Sequence, residues 1–95
     1  MLKHVVFYRL NEKGFANIGK ITENFLSMRG KIDGLLSVEC GADVLHDARS
    51  FDYALICTFT DVAALKTYKT HPAHIPVKEY MHTVITESKS CDFEF

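Results

Sequence analysis

Five histidines fall within 95 residues, and two of them share a short segment with a tyrosine, Tyr68-Lys69-Thr70-His71-Pro72-Ala73-His74. An imidazole takes up and returns a proton near neutral pH, and a phenol can orient it or hydrogen-bond to a substrate carbonyl. This residue set therefore points to acid-base work on a carbonyl compound, provided that the fold gathers it in one place. A histidine among apolar neighbours is equally what a hydrogen-bonded core side chain looks like, so convergence in one cavity decides between the readings. His71-x-x-His74 has a spacing that could clamp a metal ion. No acidic third ligand stands close in sequence, however, and His71 runs directly into Pro72, so no metal site is expected. Gly-rich phosphate loops, serine nucleophile elbows and Cys-His pairs are absent, and the turn Asn11-Glu12-Lys13-Gly14 is no basic phosphate cradle. His46 and His82 read as solvent-facing.

The elements that must position these groups are legible from periodicity. Leu2 to Leu10 reads as a strand, with His4, Val6, Tyr8 and Leu10 on one face and Val5, Phe7 and Arg9 on the other. After a turn around Asn11 to Gly14, the residues Ile18, Ile21, Phe25, Met28 and Ile32 recur at helical steps, predicting one long helix that ends near Gly34. Leu35 to Val44 reads as a second strand, with Leu36, Val38, Cys40 and Ala42 on one face and Gly41 as a candidate bulge. A loop from Leu45 to Ser50 leads into Phe51 to Thr60, almost continuously apolar, as a strand buried on both sides. Thr60 or Asp61 can cap a short helix running through Tyr68. The two prolines then make the His71 to Ile75 stretch a stiff corner, and a helix restarts at Pro76, where proline suits the first position. Its stripe of Val77, Met81, Val84 and Ile85 is followed by a last strand, Glu87 to Phe95, with Cys91 and Phe93 on its apolar face.

The order β-α-β-β-α-β is the split βαβ pattern of a ferredoxin-like antiparallel sheet, an α+β fold with both helical crossovers on one face. On that frame His4 looks into the space between sheet and helices, and His74 shares its helical stripe with Val77, Met81 and Val84. The other face is apolar too, carrying Val5 and Phe7 on the first strand and Ala54 and Ile56 on the third. A sheet face left in water alternates more cleanly, so a second copy of the chain is expected to cover this one.

Composition narrows the partners. The chain has the length of one domain, with 47% hydrophobic residues and a net charge of −1, and its basic residues are scattered, which excludes the footprint needed for nucleic acid. The apolar run Val5 to Tyr8 is too short for a signal peptide or a membrane span, and a cytoplasmic protein is expected. Cys40, Cys57 and Cys91 are odd in number and far apart in sequence, and read as buried free thiols.

The opening Lys3-His4-Val5-Val6, Gly41-Ala42-Asp43-Val44, Tyr53 to Phe59, Tyr68-Lys69-Thr70-His71-Pro72-Ala73-His74 and the closing Cys91-Asp92-Phe93 together resemble the stress-responsive A/B barrel family across essentially the whole chain. The resemblance implies a homodimeric α+β barrel built through the open sheet face, with a small-molecule pocket between sheet and helices. In members of the olivetolic acid cyclase type it implies His74 as acid/base, Tyr68 as its orienting partner and His4 as a further catalytic, pocket-lining group. Tyr53, His71, Val6, Tyr8, Phe25 and Met81 would contact a small hydrophobic ligand. Tyr53 stands where those members have a pocket histidine, and Phe25 where they have a tyrosine. The implied activity is a cyclase- or lyase-type or monooxygenase-like step on an aromatic or polyketide-like compound, with no cofactor. The alternative is a structural or stress-associated oligomer in which the same histidines satisfy hydrogen bonds in the core.

Overall fold

The computed structural model describes residues 1–95. In chain order it contains β1 (Leu2–Leu10), α1 (Glu12–Ala16), α2 (Ile18–Leu26), β2 (Leu35–Ala42), β3 (Tyr53–Phe59), α3 (Val62–Lys69), α4 (Ile75–Val84) and β4 (Ile85–Glu94). The strands form one four-stranded sheet in the order β2-β3-β1-β4. All three pairings are antiparallel, so the ferredoxin-like topology read from the element order is the one the chain adopts.

Register explains the core. Val6 lies opposite Leu55, Tyr8 opposite Tyr53 and His4 opposite Cys57, so the period of two puts one set of side chains from both central strands beneath the helices. Val6, Tyr8, Tyr53, Leu55, Cys57 and Phe59 are buried there against Ile21 and Phe25 of α2, Tyr68 of α3 and Val77, Met81 and Val84 of α4. α3 starts at the cap that its sequence advertises: the Asp61 carboxylate accepts from the Ala64 amide at 2.8 Å. α4 starts one residue before Pro76.

Four local readings are corrected. Asn11 to Gly14 is not a simple turn but opens α1, because the Asn11 side chain accepts from the Gly14 amide at 2.9 Å while its Nδ2 donates to the Thr83 carbonyl at 3.0 Å. The long helix expected up to Gly34 ends at Leu26. Beyond it, three-residue turn bonds such as Met28 N–H to Phe25 O and Lys31 N–H to Met28 O, both 3.2 Å, keep the chain tightly turned against the core. Met28 and Ile32 therefore stay buried although the helix has stopped, with Gly30 at a φ of 74° and Arg29 turned back to donate to the Val38 carbonyl at 2.6 Å. In β2 the irregularity lies between Leu35 and Ser37 rather than at Gly41. It turns Leu36 outward, 54% exposed, and lets Leu35 pack on the core. The reading of three buried thiols also holds only for Cys57, since Cys40 is half-buried and Cys91 is exposed on the outer side of β4.

Gly14 shows how tightly the β1–α1 corner is fitted to the end of α4. A Cβ built there would lie 2.4 Å from the Val84 carbonyl oxygen and 2.9 Å from the Leu10 Cβ. Alanine is the better helix former by about 1 kcal/mol, but forcing a methyl against backbone costs about 2–3 kcal/mol and dominates. Gly14→Ala is therefore expected to lower stability by about 1–2 kcal/mol net in urea unfolding, the balance of those two effects. An unchanged midpoint would mean that the corner is loose.

The sheet face opposite the helices carries Val5 and Phe7 of β1, Ala54 and Ile56 of β3, and Cys91 and Phe93 of β4. No helix of the chain covers it, and Phe7 and Phe93 are 45% and 47% exposed. No helix is long and apolar enough to cross a membrane.

Candidate active site

A half-open cavity of about 290 Å³ lies between the covered face of the sheet and the α3–α4 corner. β1 contributes His4, Val6 and Tyr8; α2 contributes Phe25; Tyr68, His74 and Met81 come from the helical corner. A slightly larger hollow, about 340 Å³, lies near Arg49 and Phe51 and brings no histidine, so the smaller one is the candidate site.

The corner is built by its own hydrogen bonds. The His71 amide donates to Tyr68 O at 3.1 Å, the His74 amide to His71 O at 2.9 Å, and the Ala73 amide to Nδ1 of the His71 ring at 3.0 Å. That last bond turns His71 into a brace of the corner, outside the cavity lining. His74 then stands at the N-terminus of α4 with its ring 4.0 Å, centroid to centroid, from the Tyr68 ring. The His4 ring lies 6.0 Å from the same Tyr68 ring, edge-on. Tyr68 is thus the middle member of a His4–Tyr68–His74 row.

Both histidines are held from behind. The His74 Nδ1 faces the Lys69 carbonyl at 3.4 Å, which acts as acceptor and leaves the lone pair on Nε2. His4 Nδ1 is hydrogen-bonded to a carboxylate oxygen of Asp92, which faces it across the β1–β4 pairing. A carboxylate behind an imidazole fixes its tautomer and steadies any positive charge it gains.

Burial sets the protonation states. It is the largest cause that pushes the His74 pKa below the ordinary histidine value; the charges of Lys78, His4 and His71 push the same way and the Lys69 carbonyl opposes them. His74 is accordingly neutral, a base, at neutral pH. Burial, reinforced by Cys57 and Tyr8, drives the Tyr68 phenol upward, so it remains a hydrogen-bond donor. The Cys57 thiol beside it is pushed up to about 12, chiefly by burial, and is no nucleophile near pH 7.

Of the residues named from the sequence, the fold brings His4, Val6, Tyr8, Phe25, Tyr68, His74 and Met81 to one cavity. Tyr53 is not among them: it is buried beneath α2, where its hydroxyl and that of Thr22 are 2.6 Å apart. Sequence reading passed over Asp92, Ser88 and Ser90. The signal was available in the parity of the last strand, because placing Cys91 and Phe93 on one face leaves Ser88, Ser90 and Asp92 as a polar row on the other, opposite Tyr8, Val6 and His4.

The family model described as the Stress responsive A/B Barrel Domain matches residues 2–95. An uncharacterized protein of Streptomyces coelicolor is 30% identical over 77 residues, covering 78% of this chain and 79% of its own. A dimeric protein of unknown function and ferredoxin-like fold from Bacteroides fragilis superposes with a TM-score of 0.86 at 21% identity, covering 99% of this chain and 95% of the other. Hydroxynitrile lyase from Passiflora edulis gives 0.82 at 16% identity over 97% and 90% of the two chains. The cofactor-independent oxygenase SnoaB from Streptomyces nogalater gives 0.78 at 14% over 99% and 91%. At these identities the solved structures establish the fold; the Bacteroides fragilis protein is the one described as dimeric.

Proposed function

Since the chain belongs to the stress-responsive A/B barrel domain family, we propose that it is a homodimeric small-molecule-binding protein whose cavity performs His/Tyr acid-base chemistry on an aromatic or polyketide-like carbonyl compound. The observation that carries the reading is the row His4–Tyr68–His74 along one cavity, with Asp92 behind His4. The apolar body of a ligand would lie against Val6, Tyr8, Phe25 and Met81. Nε2 of His74 would take a proton from the carbon beside the ligand carbonyl, and the Tyr68 hydroxyl would donate to the oxygen on which negative charge develops. His4, steadied by Asp92, is placed to share the returning proton. That a lyase and an oxygenase share the fold is consistent with chemistry in such a cavity, although the fold alone names no reaction.

Acetophenone in deuterated buffer tests this directly. The protein is expected to speed exchange of the ketone's methyl hydrogens for deuterium, and the ligand to shift the ring signals of His4 and His74 while leaving exposed His46 unmoved. No exchange and no shift would leave the non-catalytic oligomer as the better account.

A further inference from the structure

The charge of the cavity differs from that of the molecule. The chain as a whole is slightly acidic, with 12 carboxylate side chains against 11 lysines and arginines. Yet no carboxylate lines the cavity, whereas Lys69, Lys78 and His82 stand in its wall beside His4 and His74. Asp92, behind His4, is already engaged by it. Neither lysine makes an ion pair. The wall across from α4 is unusual as well. Every other strand turns mainly apolar side chains toward the helices, but β4 turns Ser88 and Ser90 inward, opposite Tyr8 and Val6. Hydroxyl donors on one side and an unpaired ammonium on the other are the groups that hold an oxyanion.

We propose that the cavity takes an organic anion: a one- or two-ring body carrying a carboxylate, which sits at the mouth against Lys78 and the Ser88 and Ser90 hydroxyls. The inference rests on the cavity being the ligand site proposed above and adds the charge of its ligand. The volume agrees, since about 290 Å³ is at the small end of ligand pockets, which run from about 300 to 1,000 Å³. With its acid group at Lys78, a ligand extends inward past His74, because Lys78 follows His74 by one helical turn and the two share the same wall.

The test compares para-acetylbenzoate with para-acetylbenzamide, which match in shape and differ in charge, titrated into the full-length protein at neutral pH and low salt and followed by the His4 and His74 ring signals. The acid is expected to bind at least about tenfold more tightly than the amide in the parent. Lys78→Met should erase that preference while leaving the amide's dissociation constant within about twofold, a pattern that mere loss of structure cannot give. Equal binding of acid and amide in the parent, with both histidine signals moving, would overturn the anion inference and leave the ligand site standing. Equal weakening of both ligands by Lys78→Met would also overturn it. If neither compound moves either signal, the anion inference falls together with the site.

Discussion

Removing the imidazole in His74→Ala is expected to slow ketone hydrogen exchange by at least about a hundredfold, the lower range for a positioned acid-base group, while the protein stays folded. The ring lies half-buried at the start of α4, where it makes no side-chain cap of the helix; its losses are the contact with Tyr68 and one long bond to the Lys69 carbonyl. A structural histidine would behave in the opposite way, with large destabilisation and no separate effect on chemistry. The pH profile adds a second discriminator. A base must be neutral to act, and burial together with Lys78 holds His74 below the usual histidine range. Exchange should therefore remain flat as pH falls to about 6.5, the ordinary value, and decline only further down, as His74 takes up its proton. The same sign holds for stability. The unfolded chain binds this proton more readily than the folded one, so the group weakens the fold only below its unfolded pKa. A profile that turned over above the ordinary histidine value, or a variant that unfolded, would remove His74 from the base role.

Most of the architecture was legible because a sheet and an amphipathic helix write their periods into the sequence. Leu2 to Leu10 and Tyr53 to Phe59 are dense in β-branched and aromatic residues, and the order of elements admits one ferredoxin-like path. What failed was local. The stripe through Met28 and Ile32 persists beyond the helix because tight turns still bring both side chains into the core, so periodicity alone reports burial there and not helix length. The bulge between Leu35 and Ser37 exchanges the roles of Leu35 and Leu36, and a shift of one residue leaves no compositional mark. In the site, His4, Tyr68 and His74 were recoverable because each sits on the inward parity of a strong element. Tyr53 shares that parity yet lies one strand further from the cavity, under α2 instead of beside α4. Inward orientation on a sheet is a statement about a face. A cavity needs the position along and across the sheet as well, and for Asp92 that meant the register of β4 on β1, 88 residues apart in sequence.

Ile56→Asp is expected to weaken self-association by about three orders of magnitude and yield a folded monomer of 10.8 kDa at micromolar concentration, as read by sedimentation. Ile56 pairs directly with Val5 at the middle of the uncovered sheet face, which bears Phe7, Ala54, Cys91 and Phe93 around it. In a lone chain a carboxylate there simply meets water, so the fold has no reason to fail. In a sheet-to-sheet dimer it must be desolvated without a partner, at about 1–3 kcal/mol, and a two-fold interface receives the substitution twice. The total, about 2–6 kcal/mol, sets the central expectation at one thousandfold. A conservative Ile56→Val serves as the control and should keep the parent's association. Should Ile56→Asp sediment as the parent does, with the same dissociation constant, the copies meet elsewhere and the exposed aromatic residues of this face need another explanation. If the parent is itself a stable monomer at that concentration, the sheet face is not an interface between copies at all, while His4, Tyr68 and His74 would still meet in the cavity beneath α4.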